Sequence, residues 1–104
     1  MKTSELTGAA LDWAVAKCEG VDGLFEAYEV GRHHYSTYWA QGGPIIEREK
    51  ISVGYQPSAP YESQWYTTNR QGAFGISDAP LIAAMRCYVA SKMGEDVDVP
   101  KELL

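Results

Sequence analysis

Between Tyr35 and Glu47 the chain reads YSTYWAQGGPIIE, thirteen residues that crowd together side chains suited to holding a small polar ligand. Tyr35, Tyr38 and Trp39 offer ring faces for stacking. Ser36, Thr37 and Gln41 offer hydrogen bonds, and the backbone of Gly42 and Gly43 permits close approach. The chemistry is recognition of a planar, polar, nucleotide-like molecule. Trp65 would supply a second stacking face, and Arg48 or Arg86 countercharge. Pro44 follows the two glycines and suits the first position of a helix, whose free N–H groups attract a phosphate or carboxylate. Gly-Gly-Pro nevertheless lacks the lysine and the length of a phosphate loop. A competing reading places the aromatics in the core and gives the glycines to a turn, and the residues alone leave both standing.

Bond-making chemistry has weaker support. His33 and His34 are adjacent, so in an extended chain they point to opposite faces and do not converge on one substrate or metal. Glu47 and Glu49 are two apart on a helix and diverge, which argues against a paired-carboxylate acid/base site. Cys18 and Cys87 stand apart from any CxxC or Cys/His cluster and read as buried, reduced thiols rather than zinc ligands. No catalytic residue, metal site or cofactor is therefore expected. A hydrolase or transferase using His33 or His34 ranks last among the functions considered, for want of a partnered nucleophile.

Several elements must position this stretch. Thr7 marks the start of a helix from Gly8 to Cys18. Leu6 and Leu11 are placed as a hydrophobic staple, Leu11, Ala14, Val15 and Cys18 form a core stripe, and Gly20 ends the helix. LFEAYEV (24 to 30) alternates as a strand does. The central stretch then reads as a turn of helix, YWAQ, a Gly42-Gly43 break and a second short helix IIEREK, or as one interrupted helix. Ile51, Val53 and Tyr55 predict a strand with one buried face, and QWYTT predicts its antiparallel partner across the loop QPSAPYES. NRQGAFGISD reads as a glycine-bearing loop. PLIAAMRCYVASKM (80 to 93) is a helix capped by Ser77 or Asp78 and ended by Gly94, with an apolar stripe of Leu81, Ala84, Met85 and Tyr88 widened by Ile82 and Val89. Val97 and Val99 alternate with acids in a short extended tail.

The expected fold is α+β, a single domain over residues 1–104, with two main helices packed on a small, mainly antiparallel sheet and a short central helical excursion at one edge. Nine basic and fourteen acidic residues give a net charge of −5, which opposes nucleic-acid binding. No apolar run approaches the ~20 residues of a membrane span, and the N-terminus lacks the unbroken apolar centre of a secretory signal. Cytoplasmic residence is the expectation. Three Trp, seven Tyr and two Phe are many large rings for one small sheet to cover, which predicts a homodimer.

The segments WAQGGPIIERE (39 to 49), PLIAAMRCYVASKMG (80 to 94) and SELTGAALDWAVAK (4 to 17) resemble the phage NinX-like family, small proteins of unknown function encoded by lambdoid phages and prophages. Residues 54 to 78 are similar only loosely, through Trp65, and Tyr38 stands where the family commonly has Asp. The resemblance implies a phage protein made in the bacterial cytoplasm during infection, and it supplies no activity. The favoured function is a non-catalytic accessory protein that binds or sequesters a small planar ligand. The alternative is an interaction module that binds a host protein with the same aromatics as anchors.

Overall fold

The computed structural model describes residues 1–21 and 33–104. In chain order the elements are α1 (Gly8–Cys18), α2 (Trp39–Glu49), β1 (Ser52–Tyr55), β2 (Trp65–Thr68), β3 (Phe74–Ser77) and α3 (Pro80–Met93), with single 3-10 turns at Thr3–Glu5, Tyr61–Ser63 and Lys101–Leu103. The fold is α+β. The strand read over LFEAYEV lies outside the described residues.

α3 organises the rest. Leu81, Ala83, Ala84, Met85, Cys87, Tyr88 and Val89 are all buried, so cover extends past the expected stripe to Ala83, while Ile82 is half-buried. The reason is its position between two layers: the sheet packs on one side, α1 and α2 on another. Among the described residues α1 packs chiefly against α3. Pro80 sits in the first turn, and Gly94 takes a positive φ of 83° just past the end. Capping differs in detail from the expectation. Ala79 is the cap residue, and Ser77 contributes by accepting the Ala79 N–H at 3.3 Å.

α1 has the expected bounds, with Leu6 and Leu11 both fully buried at its staple. Trp13 joins the core. The N-terminal segment pairs with the segment after α3: Lys2 bridges Asp96 in antiparallel register, and Met1 and Val97 exchange two backbone bonds of 2.9 and 2.8 Å. That ladder buries Val97 and Val99.

β1, β2 and β3 form an antiparallel meander in that order, with Val53 opposite Thr67 and Thr67 opposite Gly75. β3 was expected to be loop. Its pattern is inverted, with Gly75 and Ser77 buried beneath α3 and Phe74 and Ile76 exposed on the outer face, so apolar alternation gave no sign of a buried strand. Gly75 is required there, because a Cβ would meet the Ala83 carbonyl oxygen and lie 2.8 Å from the Cys87 nitrogen. Thr67 extends the same contact by donating to the Ala83 carbonyl at 2.8 Å. The expected buried face of β1 is also corrected: Ile51 is buried just before the strand, whereas Val53 and Tyr55 remain exposed where α3 no longer covers the sheet.

Candidate functional site

The central stretch is held by two hydrogen bonds from outside its own helix. A turn over Tyr35–Thr37 closes with the Tyr38 N–H donating to the His34 carbonyl at 2.8 Å. Asp12, buried on α1, accepts the Ser36 backbone N–H at 2.9 Å. On the other side of the turn, the His34 backbone N–H donates to Gln41 Oε1 at 2.7 Å. Burial pushes the Asp12 carboxyl above its ordinary range, opposed by Ser36 and then by His34 and His33. The Ser36 hydroxyl sits beside that carboxylate without meeting hydrogen-bond geometry, and Trp13 Nε1 is likewise buried without a partner among the described residues.

α2 then runs unbroken from Trp39 to Glu49 with Pro44 inside it. The expected break at Gly42-Gly43 is absent. Proline in a helix interior removes one hydrogen bond and crowds the carbonyl four residues earlier, but here Ala40 and Pro44 are both exposed and water can serve the orphaned carbonyl. The two glycines differ. Gly42 is pressed against its neighbours, and a Cβ there would meet the Tyr35 carbonyl oxygen and lie 2.6 Å from Leu81 Cδ1. Gly43 is open, with Trp39 Cε3 at 3.9 Å as the nearest atom to its absent Cβ. The close approach therefore serves packing at Gly42, and at Gly43 it leaves free space beside the indole.

The aromatics divide in the same way. Tyr35 is half-buried and stacks on His33 with ring centroids 5.7 Å apart, and burial raises its phenol pKa. Tyr38 stacks on His34 at 4.7 Å yet remains 56% exposed, and Trp39 is 54% exposed. Among the described residues Trp39 has no ring partner. Thr37 is exposed at the same turn, whereas Ser36 is buried and faces inward.

The remaining candidates stand elsewhere. Trp65 lies on β2, half-buried, with its ring 4.8 Å from that of Tyr55. Arg48 is nine residues beyond Trp39, roughly 13 Å along the helix axis. Its guanidinium is engaged by Glu19 at 2.6 Å and Glu49 at 2.9 Å, and it also donates to the Tyr88 hydroxyl at 3.2 Å. Arg86 donates to the Leu6 carbonyl at 2.8 Å and the Ile76 carbonyl at 2.7 Å, joining the N-terminal segment to β3. So the turn and the first turn of α2 gather Tyr35, Ser36, Thr37, Trp39, Gln41, Gly42 and Gly43, while Trp65, Arg48 and Arg86 take up separate structural contacts.

Sequence reasoning missed Asp12, which fixes the turn from 24 residues away. Its signal was a carboxylate between Leu11 and Trp13 in the otherwise apolar run from Ala9 to Ala16. The two histidines serve as stacking platforms here, and among the described residues no group of three or more His, Cys, Asp and Glu is placed to hold a metal ion.

Together these features define a small α+β domain that displays a pair of exposed aromatics on a turn tied to its core. The chain belongs to the Bacteriophage P22, NinX family, whose model matches residues 2–92. No curated protein matches the chain.

Proposed function

We propose that this phage accessory protein acts as a non-catalytic interaction module whose Tyr38 and Trp39 side chains anchor a protein partner. The observation that carries the reading is the combination of exposure and rigidity. Both rings are more than half exposed, yet the turn beneath them is fixed by Asp12 and Gln41. Large aromatics with two side-chain torsions on a fixed turn lose little conformational entropy on binding, and such residues dominate the energy of protein interfaces. Neither ring contributes to the described groove of the molecule, which lies along β3. An exposed aromatic pair outside that groove suits a partner surface better than it suits enclosure of a small molecule.

A second reading keeps a planar ligand on the open face of the Trp39 indole. It is favoured by the uncrowded surface at Gly43 and by the Gln41 side-chain amide, whose oxygen is committed to His34 while its NH2 group has no partner among the described residues. Native mass spectrometry of the protein purified from phage-infected cells separates the two. The interaction reading expects a co-purifying protein that is lost in Trp39→Ala and Tyr38→Ala while their melting temperatures stay within a few degrees of wild type. A retained mass increment of small-molecule size would favour the ligand. Equal retention of a partner by both variants would remove these rings from the interface.

A further inference from the structure

β3 is the outer strand of the sheet among the described residues, and the hydrogen-bond parity shows which of its groups face outward. The Asn69 N–H donates to the Ala73 carbonyl across the hairpin at 3.1 Å, so Asn69–Ala73, Thr67–Gly75 and Trp65–Ser77 are the bonded pairs of the β2–β3 ladder. Phe74 and Ile76 alternate with them and direct their N–H and C=O groups away from β2. Arg86 takes the Ile76 carbonyl. The Phe74 N–H, the Phe74 carbonyl and the Ile76 N–H are left facing a groove of about 910 Å3 that runs along β3.

The far wall of that groove is the ladder of Lys2–Ser4 with Gly94–Asp96, and its floor is α3 at Arg86, Ala90 and Ser91. An extended residue occupies roughly 160 Å3 at the usual strand rise, inter-strand spacing and sheet depth, so the groove has room for about five or six residues of one strand. It has walls on both sides, which suits a single peptide better than the edge of a second folded sheet. Its chemistry is also directional. On the outer face an added strand would lie beside the exposed Phe74 and Ile76, and on the inner side it would meet the small residues Gly75 and Ala90. At the rim, Glu62, Glu95 and Asp96 outnumber the basic Lys2, while the Arg86 guanidinium is already spent on two carbonyls.

We propose that the β3 edge binds an extended segment of a partner protein as a fourth strand, and that the segment alternates apolar residues with lysine or arginine. Recognition is by strand addition: main-chain bonds to Phe74 and Ile76 supply affinity, and the alternate side chains supply specificity. This surface is independent of the one carrying Tyr38 and Trp39.

The test uses the full-length 15N-labelled protein and the peptide acetyl-Lys-Val-Lys-Val-Lys-Val-Lys-amide. The expected result is a saturable shift of the Phe74 and Ile76 amide signals, with slower hydrogen exchange at both. Two N-methylated peptides, one methylated on every valine nitrogen and one on every lysine nitrogen, should differ sharply, because an added strand bonds to β3 through alternate residues only. The double variant Glu95→Lys, Asp96→Lys, changed at exposed positions, should weaken binding on the order of tenfold. Absence of shifts at millimolar peptide overturns the proposal, as does equal binding of both methylated peptides, which would mean charge adsorption alone. Two peptide-free results overturn it as well. Concentration-dependent shifts at Phe74 and Ile76 with a dimer mass would assign the edge to a second copy. Full protection of those two amides at every concentration would show the edge already covered from within the chain.

Discussion

Adjacent glycines in α2 make opposite demands. Gly42→Ala forces a methyl group against the Tyr35 carbonyl and Leu81, so it should destabilise by roughly 1–3 kcal/mol. Gly43→Ala places its methyl in ordinary van der Waals contact with Trp39, at 3.9 Å, and removes a flexible residue from a helix interior, so it should stabilise by about 0.5–1 kcal/mol. Urea titration of the two variants checks this, and midpoints moving in the same direction would refute the assignment. Asp12 gives a second contrast. Its carboxyl ionises at a higher pH in the folded state than in the unfolded chain, so this group favours folding most at low pH and loses that advantage as pH rises past the ordinary carboxyl pKa. Asp12→Asn keeps an acceptor for the Ser36 N–H and removes the charge. It should melt at or above the wild-type temperature at pH 7, with the difference vanishing near pH 3. Asp12→Ala strands a buried N–H and should cost about 1–3 kcal/mol. If Asn and Ala behave alike at pH 7, the bond to Ser36 contributes nothing to the turn.

The elements legible from the sequence were those whose ends and faces agree. α1 and α3 have the expected bounds because staple, proline, glycine and apolar stripe all point to the same helix. β3 was hidden because the crowded side of the sheet requires Gly75 and Ser77 inward, which leaves Phe74 and Ile76 to solvent, a pattern that reads as loop. α2 was half legible. Gly-Gly-Pro signals a break locally, and packing of Gly42 against Tyr35 and Leu81 overrides it. At the candidate site the residue types were readable, but the exposure of Trp39 and the partnership of Asp12 with Ser36 depend on which helix lies beneath the turn. On α3, Met85→Asp buries an unpaired charge at a fully covered position and should unfold the domain or lower its stability by several kcal/mol. Lys92→Ala removes an exposed 3.6 Å contact with Glu49 and should shift it by less than about 1 kcal/mol. Similar thermal midpoints for the two variants would contradict the burial of α3.

At the scale of the whole molecule, three helices meet at one polar knot. The Tyr88 hydroxyl of α3 donates to Glu19 just beyond α1, and Arg48 of α2 donates to both. The Arg48 guanidinium holds the Glu19 carboxyl below its usual range, so the stability Glu19 contributes is present above its unfolded pKa and is lost as pH falls through the lower folded value. Tyr88 acts at the opposite end. Burial and Glu19 push its phenol pKa up, so the unfolded chain releases that proton first and stability drops as pH rises above about 10. Cys18, pushed up to about 11 by burial and Glu19, adds to the same alkaline loss from about pH 9. The melting temperature should therefore hold a plateau between about pH 5 and 9 and fall on both sides. Glu19→Gln should flatten part of the acid arm and make the alkaline one shallower without removing it, because burial is the larger cause of both alkaline shifts. The double variant Cys18→Ala, Tyr88→Phe should flatten the alkaline arm and keep most of the acid one, which the Arg48 contact carries. Thermal melts across that range in both variants and wild type decide the matter, and an alkaline arm as steep in the double variant as in wild type would mean that ionisation elsewhere, not at this knot, governs unfolding in base.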